Sequence, residues 1–320
     1  MKPDLLVIAV FAPEKMAQLE ERYTVHHLLP EPLPGSVPAA VSEAVPADVL
    51  ARVRGLATDP GRGVSAALMD LMPKLEIVSS VGVGLDTIDV AEAKRRGISV
   101  TNTPDTLTND VADLAIALLI ASSRGMFAAE RFLREGKWLS AEPPLSRSVT
   151  GKTVGILGLG RIGRAIARRA EAFGLDILYS GTGEKPGVPY GYCATAAALA
   201  ARSDFLVVAC KGGPATAGLV DAETLDALGP DGTLINIARG SVVDEPAMIA
   251  ALGDGRLGFA ALDVFATEPN VSDALLALPN VIVQPHHGSG TIETRNNMAQ
   301  LVIDNLAAHF DGKPLLTPVP

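Results

Sequence analysis

The sequence is poor in cysteine, has no excess of basic charge, and contains no apolar run long enough to cross a membrane. Only Cys193 and Cys210 occur in 320 residues. Disulfide-stapled secreted domains are richer in cysteine, so two isolated thiols point to a reducing cytoplasm. No C-x-x-C pair is present, which removes the usual structural zinc pattern, and no metal is expected. Lysine and arginine total 27 against 36 acidic residues, a net charge of −9. Nucleic-acid binders carry a basic patch or stripe, and none is visible here. The acidic balance does not argue against a small anionic substrate, because one placed arginine and a few backbone N–H groups hold a carboxylate locally. The run Leu5–Val10 is too short for a signal segment or a span, and Val111–Ser122 is likewise too short to cross a bilayer. No internal repeat or low-complexity tract is seen.

What is present is apolar material in short pieces. Hydrophobic residues make up 48% and charged residues 20%, enough for two cores, and the length suits two domains. Strands are predicted at Leu5–Val10, Leu75–Val81, Ile98–Asn102, Thr153–Leu157, Ile177–Tyr179, Phe205–Ala209, Thr233–Ile237 and Val281–Val283. These runs are continuously apolar, as strands covered on both faces require. Helices are predicted between them at Val90–Arg96, Ile162–Phe173, Thr224–Leu228 and Pro246–Leu252, with Val111–Ser122 as either a buried helix joining two domains or an ordinary core helix. This βαβα rhythm indicates a doubly wound α/β fold. Pro30–Pro46 is proline-rich and reads as a surface loop.

The clearest local signal is Gly158-Leu159-Gly160-Arg161-Ile162-Gly163, a G-x-G-x-x-G that follows one predicted strand and opens one predicted helix. Gly158 permits the tight turn, Gly160 lets backbone approach a pyrophosphate, and Gly163 lets helix and strand pack closely. The helix N-terminus then offers N–H groups and a positive dipole end to phosphates. NAD sites place an acid at the end of the next strand, about 20 residues on, for the ribose 2′-hydroxyl. Here that strand runs into Ser180-Gly181-Thr182-Gly183-Glu184-Lys185. Asp176 sits at the wrong end and Glu184 beyond the turn. Ser180 and Thr182 offer hydroxyls to a 2′-phosphate. Lys185 and Lys211 add charge, or stand as solvated surface residues. NADP is therefore expected in preference to NAD.

Three later segments carry polar residues at the ends of apolar runs: Asn236-Ile237-Ala238-Arg239-Gly240, Asp263 leading to Glu268-Pro269, and Pro285-His286-His287-Gly288-Ser289. Ligands of open α/β sheets bind outside the carboxyl ends of strands. An arginine, a glutamate and a histidine delivered there suit reduction of a 2-keto acid. Arginine grips the carboxylate with two hydrogen bonds and polarises the keto oxygen. Histidine supplies the proton that this oxygen gains as hydride arrives. A carboxylate partner orients the imidazole. Singly, each residue has a bland alternative as a surface or turn residue.

These motifs, in this order and spacing, resemble the D-2-hydroxyacid dehydrogenase family. Ser80-Val81-Gly82-Val83-Gly84-Leu85-Asp86, Thr101-Asn102-Thr103-Pro104 and the late Gly312-Lys313-Pro314-Leu315-Leu316-Thr317-Pro318-Val319 agree. In closer detail the chain looks like glyoxylate/hydroxypyruvate and hydroxyphenylpyruvate reductases. The resemblance covers Pro73 onward. It implies a Rossmann nucleotide-binding domain at 99–286, inserted in a flavodoxin-like substrate domain of 1–98 and 287–320, with a cleft that closes between them. It implies Arg239 on the substrate, His286 as proton donor and Glu268 as its partner, with Val83 and Gly84 N–H groups on the carboxylate. Histidine after proline selects His286 over His287. Cofactor contacts are implied at Gly158, Leu159, Gly160, Arg161, Ile162, Ser180, Gly181, Thr182, Lys185, Cys210, Lys211, Ile237, Ala238, Asp263 and Gly288, with Asp263 on the nicotinamide carboxamide. A homodimer is implied, with the arm around Trp138 reaching the partner or packing on its own chain. Three departures stand out: Lys211-Gly212-Gly213 where relatives carry proline, Thr182 where NADP-dependent relatives carry arginine, and Asp113 where glutamate is more frequent. The expected function is NADPH-preferring reduction of glyoxylate or hydroxypyruvate. The alternatives are a hydroxyphenylpyruvate reductase and a nucleotide-sensing regulatory protein of the same fold.

Overall fold

The computed structural model describes residues 2–28 and 36–320. The chain forms two compact units, Met1–Leu107 with Thr291–Pro320, and Thr108–Gly290. The first unit is built on a sheet of β1 (Asp4–Val7), β2 (Thr24–His27), β3 (Val53–Thr58), β4 (Ile77–Ser80) and β5 (Ser99–Thr101), ordered β2-β1-β3-β4-β5. Every neighbouring pair is parallel, which is the flavodoxin-like winding. Helices Val37–Ala44, Ala66–Asp70 and Val90–Arg95 cover one face, where Val41, Leu68, Met69 and Ala93 pack on Leu6, Leu56 and Val78. Helices Pro13–Arg22 and Ile292–Phe310 pack on the other. Gly55 is small because Phe310 lies over it: a Cβ there would come within 2.9 Å of Leu5 and 3.3 Å of the Phe310 ring. A helix from late in the chain thus completes the first unit.

The second unit carries β6 (Thr153–Leu157), β7 (Asp176–Ser180), β8 (Gly191–Tyr192), β9 (Phe205–Val208), β10 (Thr233–Asn236), β11 (Phe259–Leu262) and β12 (Val281–Val283), ordered β12-β11-β10-β9-β6-β7-β8. All pairs are parallel, so both faces must be covered and the strands are apolar on both. Leu157, Leu206, Val208, Leu234 and Leu262 join one core with Leu199, Leu225 and Leu252 of the helices on that face. The alternate row Ile156, Val207, Ile235 and Ala261 is fully buried on the opposite face. There Thr108–Ser123 packs on helix Arg161–Ala172 and on β10 and β11. The pairing also aligns strand ends: Ser180, Leu157, Val208, Asn236, Leu262 and Val283 are successive partners across six strands.

Boundaries expected after residues 98 and 286 fall instead after 107 and 290. The first moves because β5 pairs with β4 in the first sheet. The second moves because Asp263 of the second unit binds the backbone of His287 and Gly288. Residues 30–35 of the expected proline-rich loop lie outside the described residues. The rest is largely helical, with Pro38 in the first turn of Val37–Ala44, where its missing N–H costs nothing. Thr108–Ser123 begins the second unit and is embedded in its core. No single described helix is long and apolar enough to cross a membrane; Thr108–Ser123 with Met126–Arg134 passes only as a pair bent by 59°. Leu56, fully buried in β3, is a direct test of the first core. Leu56→Ala should lower stability by about 2–5 kcal/mol, read as a lower urea midpoint at unchanged slope.

Candidate active site

Three loops leave the aligned carboxyl ends of β10, β11 and β12. Asn236, the last residue of β10, is buried and braces the first loop. Its Oδ1 accepts the Ala238 N–H at 3.0 Å and its Nδ2 donates to the Arg239 carbonyl at 3.0 Å, a turn made by a side-chain amide. The Arg239 guanidinium donates to the Ala238 carbonyl at 2.8 Å. Gly240 must be glycine, because a Cβ would overlap the Phe265 carbonyl. The loops after β10 and β11 therefore touch backbone to backbone.

Glu268 joins the second and third loops. Its Oε1 accepts the Phe265 N–H at 2.9 Å, and its Oε2 lies 2.7 Å from His286 Nδ1. His286 has a φ of 51°, a left-handed conformation that only surrounding contacts can hold in a non-glycine residue. Those contacts come from Asp263, which is 1% exposed. The Asp263 carbonyl accepts the His286 N–H at 2.9 Å, and its carboxylate oxygens accept the N–H groups of His287 and Gly288 at 2.6 and 2.8 Å. Burial pushes the Asp263 carboxyl up, and these two N–H donors oppose the shift.

Loss of water pushes the Glu268 carboxyl up as well. The hydrogen bond to His286, the Phe265 N–H and the charges of His286 and Arg239 outweigh that effect and hold it below its ordinary value. Glu268 is thus a carboxylate at neutral pH and can only accept. His286 Nδ1 must carry the hydrogen between them, which leaves Nε2 as the ring nitrogen not engaged by Glu268.

Farther along the same row of strand ends, Gly158 has a φ of 103°, and a Cβ there would lie 2.6 Å from Cys210 backbone. This is the point where strand order reverses between β6 and β9, the usual nucleotide position in such sheets. A Cβ on Gly163 would overlap the Gly158 carbonyl, whereas one on Gly160 would meet nothing within 4 Å. No side chain caps helix Arg161–Ala172, so its first N–H groups and the open Gly160 backbone fit a pyrophosphate. Leu159, Ile237 and Ala238 are buried. Arg161 is exposed and Ile162 partly so. Ser180 is buried, and its carbonyl accepts the Gly158 N–H at 2.9 Å. Gly181 and Thr182 are exposed, and the Lys185 N–H donates to the buried Tyr179 hydroxyl at 2.7 Å, folding the turn back on β7. Asp176 lies at the far, amino end of β7 and Glu184 is exposed. Lys211 is exposed on a turn whose carbonyl accepts the Thr216 hydroxyl at 2.7 Å.

Val83 and Gly84 belong to the first unit, in the loop after β4. Their N–H groups have no acceptor among the described residues. The Gly82 carbonyl accepts the Thr103 N–H at 2.9 Å and the Val83 carbonyl accepts from Asn102 Nδ2 at 3.0 Å.

The model of the D-isomer specific 2-hydroxyacid dehydrogenase NAD binding domain matches residues 116–288. The chain belongs to this family. Among D-2-hydroxyacid dehydrogenase relatives, it is 46% identical to the 2-ketogluconate reductase of Gluconobacter oxydans, over 99% of each chain. It is 54% identical to the glyoxylate/hydroxypyruvate reductase A of Arabidopsis thaliana, over 83% of this chain and 85% of the relative. The crystal structure of the NADPH-dependent glyoxylate/hydroxypyruvate reductase of Sinorhizobium meliloti, in complex with NADP and malonate, superposes with a TM-score of 0.91 at 44% identity, covering 100% and 97% of the two chains. The second unit is therefore an NAD(P)-binding Rossmann domain.

In this dehydrogenase, three residues take loop-holding roles that the sequence motifs did not assign to them. Asn236 holds the arginine loop, Glu245 accepts the Ala266 N–H at 2.9 Å, and Asp263 holds the histidine turn. A polar residue at the end of an apolar strand or directly after it is the available signal in two of the three cases, because buried polar groups are kept only where they bond. Two tests follow from the geometry. Gly240→Ala should push the Phe265 carbonyl aside and misplace Glu268, costing about a hundredfold in kcat/KM. The depressed Glu268 carboxyl favours folding above its ordinary value of 4.5, and this contribution is lost as pH falls through the folded value. Glu268→Gln should therefore lose less thermal stability than wild type when pH is taken below 4.5.

Proposed function

We propose that this chain reduces small 2-keto acids, glyoxylate and hydroxypyruvate foremost, to 2-hydroxy acids with NADPH. The observation that carries this reading is the His286–Glu268 pair beside Arg239 on three adjacent strand ends. A bound reduced nicotinamide supplies the hydride to the keto carbon. Arg239 grips the substrate carboxylate and draws charge onto the keto oxygen. His286 Nε2–H gives that oxygen its proton, and Glu268 steadies the ring before and after the transfer. Val83 and Gly84 N–H groups hold the carboxylate from the substrate domain, which is the first unit, while the second is the dinucleotide domain.

The choice of NADPH is supported by the lack of an acid at the carboxyl end of β7, where Ser180, Gly181 and Thr182 stand instead, and by the NADP in the Sinorhizobium meliloti relative. Lys185 and Lys211 supply positive charge to a 2′-phosphate. Full-length similarity to a 2-ketogluconate reductase supports a second reading, a bulkier 2-keto acid as substrate. The partner expected is a second copy of this chain. Met126, Phe127, Leu133, Trp138, Leu139 and Leu145 are all exposed within one stretch, Leu139 and Leu145 almost completely, and such a patch marks an interface. Both cysteines are free thiols, which supports a reducing compartment such as the cytoplasm.

The test is reduced-cofactor consumption with glyoxylate, hydroxypyruvate, hydroxyphenylpyruvate, pyruvate and 2-ketogluconate, each with NADPH and NADH. Fastest turnover of glyoxylate or hydroxypyruvate with NADPH is expected. A preference for NADH would overturn the assignment of Ser180–Lys185 and leave the catalytic residues standing. Arg239→Ala should lower kcat/KM on the order of a thousandfold with the fold intact by circular dichroism. Activity close to wild type would remove Arg239 from the site.

A further inference from the structure

A chain of hydrogen bonds, buried where it begins and partly buried beyond, runs through the first unit from its last helix to the loop after β4. It begins at Asn305 on helix Ile292–Phe310, which is fully buried. Asn305 Oδ1 accepts the N–H groups of Leu316 and Thr317 at 3.0 and 3.1 Å. Its Nδ2 donates to the Leu301 carbonyl at 2.8 Å and to Thr317 Oγ1 at 2.9 Å. Every hydrogen-bonding position of the carboxamide is used. Thr317 Oγ1 then donates to the Asn102 carbonyl at 2.6 Å, and Asn102 Nδ2 donates to the Val83 carbonyl at 3.0 Å. The following residues lie along β5, where Thr101 bridges Pro318 and the Val319 N–H meets the Val100 carbonyl at 2.8 Å.

The chain ends on two consecutive peptide planes. The Gly82 carbonyl is held by the Thr103 N–H at 2.9 Å and the Val83 carbonyl by Asn102 Nδ2. In a planar trans peptide the C=O and the N–H point in opposite directions. Holding the Gly82 carbonyl therefore aims the Val83 N–H, and holding the Val83 carbonyl aims the Gly84 N–H. Both carbonyls face the same segment, 102–103, so both N–H groups face away from it together. Successive N–H groups turned to one side form an anion-binding concavity. Gly82 allows this arrangement with a φ of 148°, and Pro60 closes on it so tightly that a Cβ would lie 2.7 Å from the proline ring.

We propose that Asn305, Thr317 and Asn102 are positioning residues for substrate: they aim the Val83 and Gly84 N–H groups and so set affinity for the carboxylate of a 2-keto acid. This rests on the reading that those N–H groups hold that carboxylate. None of the three residues takes part in hydride or proton transfer, so their effect falls on binding and not on the chemical step. The segment Leu316–Thr317, far along the chain from the loop, becomes part of substrate recognition through one hydroxyl.

The experiment is steady-state kinetics on Thr317→Val, which keeps the shape and removes the hydroxyl, with Thr317→Ser as rescue and Asn102→Ala as an independent break nearer the loop. Thr317→Val should raise KM for the 2-keto acid and the inhibition constant of oxamate by about five- to tenfold, the loss of one well-placed hydrogen bond. The turnover number and the KM for NADPH should stay within about twofold. Thr317→Ser should restore both substrate constants, and Asn102→Ala should reproduce the split even if Thr317→Val fails to fold. Gly82→Ala disturbs the same loop directly and serves as the control for the underlying reading. If Gly82→Ala raises the keto-acid KM while folded Thr317→Val and Asn102→Ala do not, the positioning role is overturned and the carboxylate assignment stands. If none of the three changes it, the carboxylate assignment fails and the proposal with it. A uniform loss in turnover and in both KM values would reduce Thr317 to a structural residue and overturn the proposal as well.

Discussion

The site depends on one constraint, the common register of six parallel strands in the second unit. Ser180, Leu157, Val208, Asn236, Leu262 and Val283 are paired across the sheet, so the loops that follow them all start at one level. That level is set by burial. A slip of one residue would interchange the alternate rows between the two covered faces and mispack both apolar cores. The same hydrophobic burial that stabilises the domain therefore places the glycine turn, Arg239, Glu268 and His286 side by side. What remains for polar residues is local adjustment. Asn236 shapes one loop and Asp263 another, each using a buried side chain with all of its observed bonds directed at backbone.

Much of this was legible in the sequence because it is written locally. Continuous apolar runs gave β1, β4 and most of the second sheet, within a few residues at each end. The glycine motif sat between a strand and a helix, as its chemistry demands, and the three polar segments stood directly after apolar runs. Elements whose cause lies elsewhere were not legible. β2 is an edge strand that carries His26 and His27, and β3 contains Arg54 and Gly55. Gly55 in particular answers to Phe310, which is distant in sequence and adjacent in space. The place of β5 in the first sheet is settled by pairing with β4, which no property of Ser99–Thr101 announces. Asp263 shows the same limit within the site. Resemblance assigned it to the cofactor, while its two carboxylate oxygens hold the histidine turn.

The two units also differ in how their loops are held. In the second, backbone packs on backbone and buried carboxylates or amides seal the turns. In the first, the loop after β4 is reached through a relay of side chains from a helix late in the chain. Such a relay is satisfied at every buried position, which makes it rigid, since a partly bonded network in a low-dielectric interior would be worse than an apolar one.

The contact between Gly240 and the Phe265 carbonyl has a bearing on how such a protein can change. Two loops that meet without an intervening side chain cannot drift apart independently, because neither has atoms to trim or extend at the point of contact. Sequence variation is therefore channelled away from the interlocked pair. The loop after β4, by contrast, is tied through threonine and asparagine side chains that can be exchanged one at a time. Single substitutions are therefore easier to accommodate along that side-chain relay than at the point where Gly240 meets the Phe265 carbonyl.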